Sequence, residues 1–465
     1  MGRTVIEFRL PCLWPLMFDP LKAGAFVTYP PEVASNLEFF TARNLWHVVS
    51  QNPEVRSCAD AAQRRNRLGH EGIPLFDELK TGVGVCETPT GSRYVAAHCR
   101  GHQRLDESKL RTLFGGPFRR LTDEELLTNF GAERGLVNPF AIFRKSQVQQ
   151  VFDETIMRPY FPPNTMMTNL GDLCYAIEFN APEIIAALDG AWVADIVEEK
   201  SRRLPTVRTL GILTGNGPES GMLLWERINA RIRTHPSKIF RGDFSFPAVS
   251  VESLPGMGLS MELAKREAAV RPVVLDGVRK LCEGGANVVG IACNTTQYFA
   301  DDAERTCEDY GAQFVRTADE TARYLGQEGI DTFDFLGIGA VADFKTWSGF
   351  GRALSGFNVK TPSEASLSKI SELAYAVKKE VVTARTINRL RDLVHQATQT
   401  NVVVLALTEL SIVFDNQQGK HKSGKRFVDT LDILATRMAE IYIEEYISTL
   451  QTSGDEQDVL AATLS

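Results

Sequence analysis

The chain has 465 residues, of which 43% are hydrophobic and 23% are charged. This balance is typical of a globular protein and excludes a disordered or fibrous chain. At about 100 to 200 residues per domain, the length predicts two or three domains. The net charge of −7 is spread over both halves of the chain. Neither half is therefore the basic body of a tight, non-specific nucleic-acid binder.

The eight cysteines are scattered and form no Cys-x-x-Cys pair. Scattered thiols in a long chain are typical of a reducing compartment rather than of a disulfide framework, so we expect a cytoplasmic protein. The N-terminus has no apolar signal core, and the chain has no run of about 18 apolar residues. We therefore expect no membrane span.

The first 200 residues predict a mixed α+β unit. The predicted elements are a strand at 4–10, a helical region at 37–57, hairpin-like strands around 94–97, and helices at 108–114 and 122–130. A charged stretch closed by Pro205 then precedes an apolar, strand-like run at 207–213. This change of composition predicts a domain boundary near residue 205.

Beyond this boundary, short β-branched runs alternate with longer helical patterns, which predicts βαβ units and a parallel sheet. The sequence at 287–296 is repeated approximately at 401–410, and the strand at 211–215 has a counterpart at 335–339. A repeat of this size is a whole lobe, so we expect two similar lobes and a helix from residue 426 that packs on one of them. Ligands of open α/β sheets bind beyond the carboxyl ends of the strands, so the cleft between the lobes is the expected site.

A glycine-rich turn follows the first strand of this region, at 211–221. Its small residues allow close approach of the backbone, and the free amides of the helix that follows favour a carboxylate or a phosphate. The turn is neither a Walker loop nor a Gly-x-Gly-x-x-Gly motif, so nucleotide binding is not expected. The alternative is a tight turn that binds nothing.

Cys293 stands at the end of another predicted strand and is followed by Asn-Thr-Thr at the start of a helix. A helix N-terminus favours the thiolate form of a cysteine. A thiolate in this place can abstract a proton or attack an electrophile. The alternative is a buried and inert thiol.

Three motifs in this half resemble, in order, the signatures of the aspartate/glutamate racemase superfamily. They are the glycine-rich turn, Ala-Cys-Asn-Thr-Thr at 292–296, and Leu-Ala-Leu-Thr-Glu-Leu at 405–410. The resemblance covers about residues 207–448 and implies a two-lobed, pseudo-symmetric α/β domain with its active site between the lobes. In that family two cysteines face each other across the substrate α-carbon without a cofactor. One cysteine removes the proton and the other returns it.

This sequence departs from the family pattern at the second cysteine. The first cysteine falls on Cys293, but the second falls on Leu407, which cannot carry a proton, and Gln297 stands near the place where relatives often carry histidine. The resemblance therefore implies one catalytic cysteine, with no cofactor and no metal. One-sided proton transfer, decarboxylation and a lyase-like reaction all stay open. The implied substrate-binding residues are Asn216, Gly217, Asn294, Thr295, Thr296, Thr408 and Glu409.

A second ordered set of residues lies in the first half: Lys80-Thr81, the loop from Gly135 to Pro139, and Gly171. The loop can present backbone amides to a carbonyl oxygen, and Lys80 can neutralise a phosphate or polarise an ester. Together they resemble the YbaK/prolyl-tRNA editing domain family, which hydrolyses mischarged aminoacyl-tRNA. The resemblance covers about residues 55–190. It implies that Lys80 is catalytic and that Gly135, Pro139 and Gly171 line the pocket.

Two groups of polar residues in this half have competing interpretations. Arg64, Arg65 and Arg67 could contact tRNA phosphates, but a solvated helix face is the favoured interpretation. His98, Cys99 and His102 lack the second ligand pair of a structural zinc site, so no metal is expected there.

These patterns predict an α/β protein in which an α+β editing-like domain precedes a two-lobed racemase-like domain. The predicted parts are an N-terminal extension of unassigned role at 1–54, an editing-like domain at 55–200, lobes at 207–316 and 317–424, and a C-terminal helix and tail at 425–465.

Two functions of different classes are compatible with this organisation. The first is a racemase-superfamily enzyme that acts through Cys293 on an amino acid or small carboxylate, fused to an aminoacyl-tRNA deacylase-like domain. The alternative is an aminoacyl-tRNA trans-editing deacylase whose racemase-like half is a catalytically silent binding module. The expected partners are a small amino acid or dicarboxylate and aminoacyl-tRNA, with no membrane; a homodimer is left open.

Overall fold

The fold is described from a computed structural model. The described residues are 29–67, 70–89, 91–145, 147–157, 165–202, 209–236, 243–379, 382–415 and 424–451. The predicted strand at 4–10 and the predicted boundary at Pro205 lie outside these residues. Within them the chain forms two compact units, built mainly from residues 29–202 and from residues 209–236 and 244–444.

The first unit is a mixed α+β structure, as predicted. Its helices and strands in chain order are α1 (Pro31–Ala42), β1 (His47–Gln51), α2 (Cys58–Arg64), β2 (Asn66–Arg67), β3 (His70–Glu71), β4 (Leu79–Thr88), β5 (Gly91–Arg100), α3 (Glu107–Phe114), β6 (Phe118–Arg120), α4 (Asp123–Phe130), α5 (Pro139–Phe143), β7 (Val148–Asp153), β8 (Thr165–Asn169), β9 (Tyr175–Asn180), α6 (Ala181–Ala187) and β10 (Trp192–Ala194). One sheet has the strand order β10-β7-β5-β4-β6 and a second has the order β1-β9-β8. A buried apolar cluster that includes Phe40, Phe140, Phe152 and Phe179 packs α1 and α5 against these strands.

Helices α3 and α4, which the sequence predicts well, are bounded by capping residues close to them in the chain. Helix α3 begins after Asp106, whose carboxylate accepts hydrogen bonds from two backbone amides of the first turn. Helix α4 begins with a capping box between Thr122 and Glu125, and both helices end at a glycine with positive φ. Such caps satisfy the free backbone groups of a helix end.

The predicted helical region at 37–57 is wrong in its second half. Helix α1 ends at Ala42, and β1 pairs antiparallel with β9, with His47 opposite Phe179. Val48 and Val49 are β-branched and fit a strand. The partner strand lies more than 120 residues away along the chain, so no local pattern reveals the pairing.

The second unit consists of two lobes of the same topology. Its elements in chain order are β11 (Thr209–Thr214), α7 (Pro218–Arg233), β12 (Ala248–Ser253), α8 (Leu263–Glu283), β13 (Val288–Ile291), α9 (Ala300–Asp309), β14 (Gln313–Phe314), α10 (Thr317–Gln327), β15 (Thr332–Leu336), α11 (Gly339–Ala342), β16 (Asn358–Lys360), α12 (Glu364–Lys379), α13 (Ala384–Ala397), β17 (Val402–Leu405), α14 (Thr408–Asp415), β18 (Arg426–Asp429) and α15 (Thr430–Gln451). The first lobe has the sheet order β12-β11-β13-β14 and the second has β16-β15-β17-β18. All of these strands pair in parallel. The equal order confirms the two pseudo-symmetric lobes, and the nearly continuous apolar strands fit a sheet covered on both faces.

The predicted helix from residue 426 begins later than expected. Residues 426–429 form β18, which pairs with β17 and completes the sheet of the second lobe. Helix α15 follows and packs on the first lobe at Gly290, where an added Cβ would lie 2.6 Å from the Met438 sulfur. The glycine therefore provides the space in which this helix crosses β13.

No helix in the described part of the chain is long and apolar enough to cross a lipid bilayer.

Candidate functional site

Three loops of the second unit carry the residues that the sequence singles out. Residues 215–217 follow β11, residues 292–296 follow β13, and residues 406–409 follow β17. Each loop lies at the carboxyl end of its strand, which is the end where open α/β sheets bind their ligands. The structure joins all three loops through one network of buried polar contacts.

Asn216 and Cys293 form the centre of this network. The Asn216 side-chain nitrogen Nδ2 lies 3.4 Å from the Cys293 Sγ and 2.7 Å from the Ser260 Oγ, and it donates a hydrogen bond to each. Asn216 is 3% exposed and Cys293 is 4% exposed. The thiol therefore faces a polar amide in an otherwise dry environment, where such a hydrogen bond is stronger than in water.

Lys378, at the end of α12 in the second lobe, completes the network. Its Nζ donates hydrogen bonds of 2.8 Å to both the backbone oxygen and the side-chain Oδ1 of Asn216, and it forms an ion pair with Glu409. Glu409 is 2% exposed, so its carboxylate depends on this partner. Sequence reasoning missed Lys378, because a lysine in the last turn of a helix is ordinary.

Two glycines shape the loop that carries Asn216. Gly215 has a φ of +127° and Gly217 a φ of +92°, a region that favours glycine. A side chain at Gly215 would overlap the backbone of Leu254, and a Cβ at Gly217 would lie 3.4 Å from the Lys378 Nζ. The glycines thus allow the turn itself and leave room for the ion pair beside it.

The other predicted residues at the end of β13 have different environments. The Oδ1 of the buried Asn294 side chain lies 3.1 Å from the Thr430 Oγ1, whereas its Nδ2 is buried with no hydrogen-bond partner among the described residues. Thr296 donates its hydroxyl to the Cys293 backbone oxygen. Thr295 is buried at the start of the short 3-10 turn that leads to α9. The Asn294 amide therefore keeps an N–H donor that is buried without a partner among the described residues.

The third loop lacks a thiol. Leu407 is 3% exposed and belongs to the buried apolar cluster of the second lobe, together with Val341 and Leu410. The neighbouring Thr408 Oγ1 lies 3.4 Å from the Glu409 Oε2. Glu409 and Lys378 are an acidic and a basic group on this side of the site.

In the first unit, Lys80 is held by the β4–β5 hairpin. Its Nζ donates to the backbone oxygens of Gly101, at 3.3 Å, and Gln103. The adjacent Thr81 hydroxyl contacts His98 Nδ1 at 2.9 Å, and His98 Nε2 contacts the Gln150 Oε1 at 2.9 Å. Burial lowers the pKa of His98 to about 3, so the ring stays neutral and both its nitrogens are engaged.

Two asparagines join the end of the predicted loop at 135–139 to Gly171. Asn138, which precedes Pro139, caps α5 and donates from Nδ2 to the Asn169 Oδ1 at 3.2 Å. The same Asn169 oxygen accepts the backbone amide of Gly171. Both Gly135 and Gly171 have positive φ, at +90° and +87°. The structure therefore brings this loop and Gly171 together at the end of β8, while Lys80 lies on β4 and donates to the segment that follows β5.

The interpretation of the arginine cluster as a solvated face is wrong for two of its members. Arg65 forms a two-pronged ion pair with Glu78, and Arg67 lies 2.6 Å from the Asp77 carboxylate. Both arginines are buried. A buried guanidinium requires a carboxylate partner, and these partners withdraw both charges from any contact with phosphate.

Comparison with known families agrees with both sequence resemblances. The model of the family described as Aminoacyl-tRNA editing domain matches residues 52–167, and that of Asp/Glu/Hydantoin racemase matches residues 213–438. A search of curated proteins found no match.

Several solved structures are similar to one of the two regions. A candidate Asp/Glu racemase from Yersinia pestis is 20% identical, with 51% of this chain and 99% of that chain covered and a TM-score of 0.40. The aspartate racemase of Picrophilus torridus is 17% identical over the same shares, also with a TM-score of 0.40. A candidate trans-editing enzyme for prolyl-tRNA synthetase is 24% identical, with 37% and 99% covered and a TM-score of 0.29. Two separate regions of the chain therefore match two family models, that of an aminoacyl-tRNA editing domain at 52–167 and that of the Asp/Glu/hydantoin racemases at 213–438.

Proposed function

We propose that the second unit catalyses proton transfer at the α-carbon of an amino acid or small carboxylate, with Cys293 as its single thiol base. The observation that carries this proposal is the buried contact between Asn216 Nδ2 and the Cys293 Sγ. An N–H donor directed at sulfur favours the thiolate, which is the form that can accept a proton.

The neighbouring groups supply what such a reaction needs. Removal of the α-proton leaves negative charge on the substrate carboxylate, and that charge needs hydrogen-bond donors in a dry site. The unpartnered end of the Asn294 amide is available for this purpose. The thiolate takes the proton from the α-carbon, and the electron pair of the C–H bond moves into the carboxylate. The thiol then exchanges its hydrogen with solvent and returns a solvent-derived proton to the α-carbon, which regenerates the thiolate.

The stereochemistry follows from Leu407. A second free acid on the opposite face of the substrate would invert the α-carbon, but Leu407 is apolar and packed in the core of the second lobe. Glu409 and Lys378, on the same side of the site, are engaged with each other and with Asn216. A single thiol removes and returns the proton on the same face. The proposed reaction is therefore exchange of the α-proton with retention of configuration.

Deuterium exchange tests this function directly. We expect the protein to replace the α-proton of at least one amino acid in D₂O, with aspartate and glutamate of both configurations as the first substrates. Loss of the α-proton is followed by NMR, and configuration is followed by chiral chromatography. In Leu407→Cys we expect some inversion, because a second thiol becomes available.

Two results would contradict the proposal in different ways. If no amino acid in the panel exchanges its α-proton, the proton-transfer function fails. If the wild-type protein inverts its substrate, the single-thiol mechanism fails, since inversion requires a second acid.

A second candidate function belongs to the first unit, which we propose hydrolyses the ester of an aminoacyl-tRNA. The link from Asn138 through Asn169 to Gly171 holds the glycine loop in a defined shape, and Lys80 is a cation suited to a phosphate or ester oxygen. In this reaction water adds to the ester carbonyl, and the free amino acid and the tRNA hydroxyl leave.

Lys80→Ala should lower deacylation of a mischarged tRNA by about 100-fold, because one electrostatic contact to the reacting group is lost. Release of a radiolabelled amino acid from a panel of charged tRNAs measures this rate. Lys200→Ala is the matched control, since the Lys200 side chain is 72% exposed and its loss removes the same charge. Equal rates in the Lys80 variant and the wild type would refute the role of Lys80.

A further inference from the structure

The contact between Lys378 and Asn216 determines which end of the asparagine amide faces the thiol. A lysine ammonium has three N–H donors and no acceptor, so the side-chain atom that it contacts at 2.8 Å must be the oxygen Oδ1. The nitrogen Nδ2 must then lie on the other side, toward Cys293 and Ser260. The two ends of an asparagine amide have nearly the same shape, so shape alone does not assign its oxygen and nitrogen. The contact with Lys378 assigns them for Asn216.

The same contacts show which acceptors the N–H donors of the Lys378 ammonium bind. Its Nζ has three acceptors, namely the Asn216 backbone oxygen, the Asn216 Oδ1 and the Glu409 carboxylate. Three acceptors take up the three N–H bonds of the ammonium. No N–H of Lys378 is left to give to a substrate while this network is intact.

We propose that Lys378 is a positioning residue that activates Cys293 through Asn216. It holds the amide oxygen of Asn216 and thereby keeps Nδ2 directed at the sulfur, where the N–H bond stabilises the thiolate. Glu409 in turn holds Lys378. This inference rests on the proposed role of Cys293 as a base and adds a residue from the second lobe to the control of a thiol in the first.

Removing Lys378 should act on the thiol in two ways. Without the ammonium, the Asn216 amide is free to turn its oxygen toward the sulfur, where it opposes a negative charge. The buried Glu409 carboxylate also loses its counter-charge and repels the thiolate. Glu219 places a further carboxylate near Gly217, so the lysine is the cation that balances the acidic groups at this loop.

The experiment measures alkylation of Cys293 by iodoacetamide without any substrate. The modified peptide is quantified by mass spectrometry over a range of pH. We expect Lys378→Met to lower the alkylation rate at pH 7 by about tenfold and to move the pH profile of this rate to higher pH, because less of the reactive thiolate is present.

Glu409→Gln tests the direction in which charge changes the alkylation rate of Cys293. This variant keeps an acceptor for Lys378 but removes the negative charge, so Cys293 should be alkylated at least as fast as in the wild type. A purely structural role for the ion pair predicts instead that both variants change the rate in the same direction. Lys379→Met, an exposed lysine on the same helix, should match the wild type.

Asn216→Asp keeps the proposal testable if Lys378→Met does not fold. The new carboxylate has nearly the same shape but cannot donate to sulfur, so alkylation should again be slower. Wild-type alkylation in folded Lys378→Met or in Asn216→Asp overturns the proposal. The alkylation assay contains no substrate, so it is independent of the proposed reaction. If Lys378→Met is alkylated more slowly but the wild type exchanges no α-proton, the proposed function is wrong and the positioning role of Lys378 is still supported.

Discussion

Replacing Cys293 with serine should lower the rate of α-proton exchange by about 10³-fold, which is the usual effect of losing an acid–base group. Serine has almost the same shape and can keep the hydrogen bond from Asn216, but its hydroxyl stays protonated at neutral pH. No second thiol lies on the facing loop, where Leu407 stands. The rate is measured by NMR in D₂O, as for the wild type.

The matched control for this variant is Cys282→Ala. Cys282 is also a buried free thiol of the second unit, but it lies on α8 and contacts Cys307 rather than Asn216. Burial raises the pKa of Cys282, so this thiol stays protonated and we expect the variant to keep its exchange rate. Undiminished exchange in Cys293→Ser would show that the proton is moved by another group.

Replacing Gly215 with alanine should destabilise the second unit by about 3 kcal/mol or more, because two penalties add. A residue with a side chain is strained at the φ of +127° that Gly215 adopts. Its Cβ would also overlap the backbone oxygen of Leu254, and backbone cannot move away as a flexible side chain can. Urea unfolding of the wild type and the variant measures the difference in free energy.

Gly326→Ala is the control for this prediction. Gly326 lies in α10, and an added Cβ would meet no atom within 4 Å. Alanine is a better helix former than glycine by about 1 kcal/mol, so this variant should be as stable as the wild type or more stable. If the two variants unfolded at the same urea concentration, the strained turn at Gly215 would not be the cause.

The position of Gly215 also links stability to the proposed chemistry. Asn216 follows it directly, so any shift of the turn moves the amide that contacts Cys293. We therefore expect Gly215→Ala to lose exchange activity even under conditions where it stays folded.

The candidate site divides into residues that short motifs reveal and residues that they do not. Cys293 and Asn216 stand two residues after strands, and Glu409 lies in the first turn of the helix that follows β17. At each place a short motif shows both the strand end and the residue type. Lys378 stands 31 residues before Glu409, on a different helix. Only the packing of α12 against the loop of the first lobe brings its Nζ to Asn216.

The burial of Arg65 and Arg67 in the first unit also could not be predicted from short motifs, and here the sequence-based interpretation was wrong. Arg65 and Arg67 have the spacing of a polar surface, and local sequence offers no reason to bury them. Their partners Glu78 and Asp77 come from the segment before β4. Burial of a guanidinium is favourable only when a carboxylate is brought to it, and that depends on the tertiary fold.

The strand errors have a similar origin. Residues 47–51 and 426–429 form strands because β9 and β17 offer them free edges. A strand has no hydrogen bonds of its own, so its partner decides its existence, whereas a helix such as α4 carries its caps and bonds within one segment.

Amino-acid order alone therefore determined the globular composition, the two α/β lobes, the editing-like region and the leucine at position 407. These depend on periodicity and on motifs that are contiguous in the chain. The tertiary structure alone decided that Lys378 reaches Asn216, that Arg65 and Arg67 are buried, and that α15 crosses the first lobe at Gly290. Each of these joins residues far apart in the chain, and side-chain contacts of that kind exist only once the strands and helices have packed.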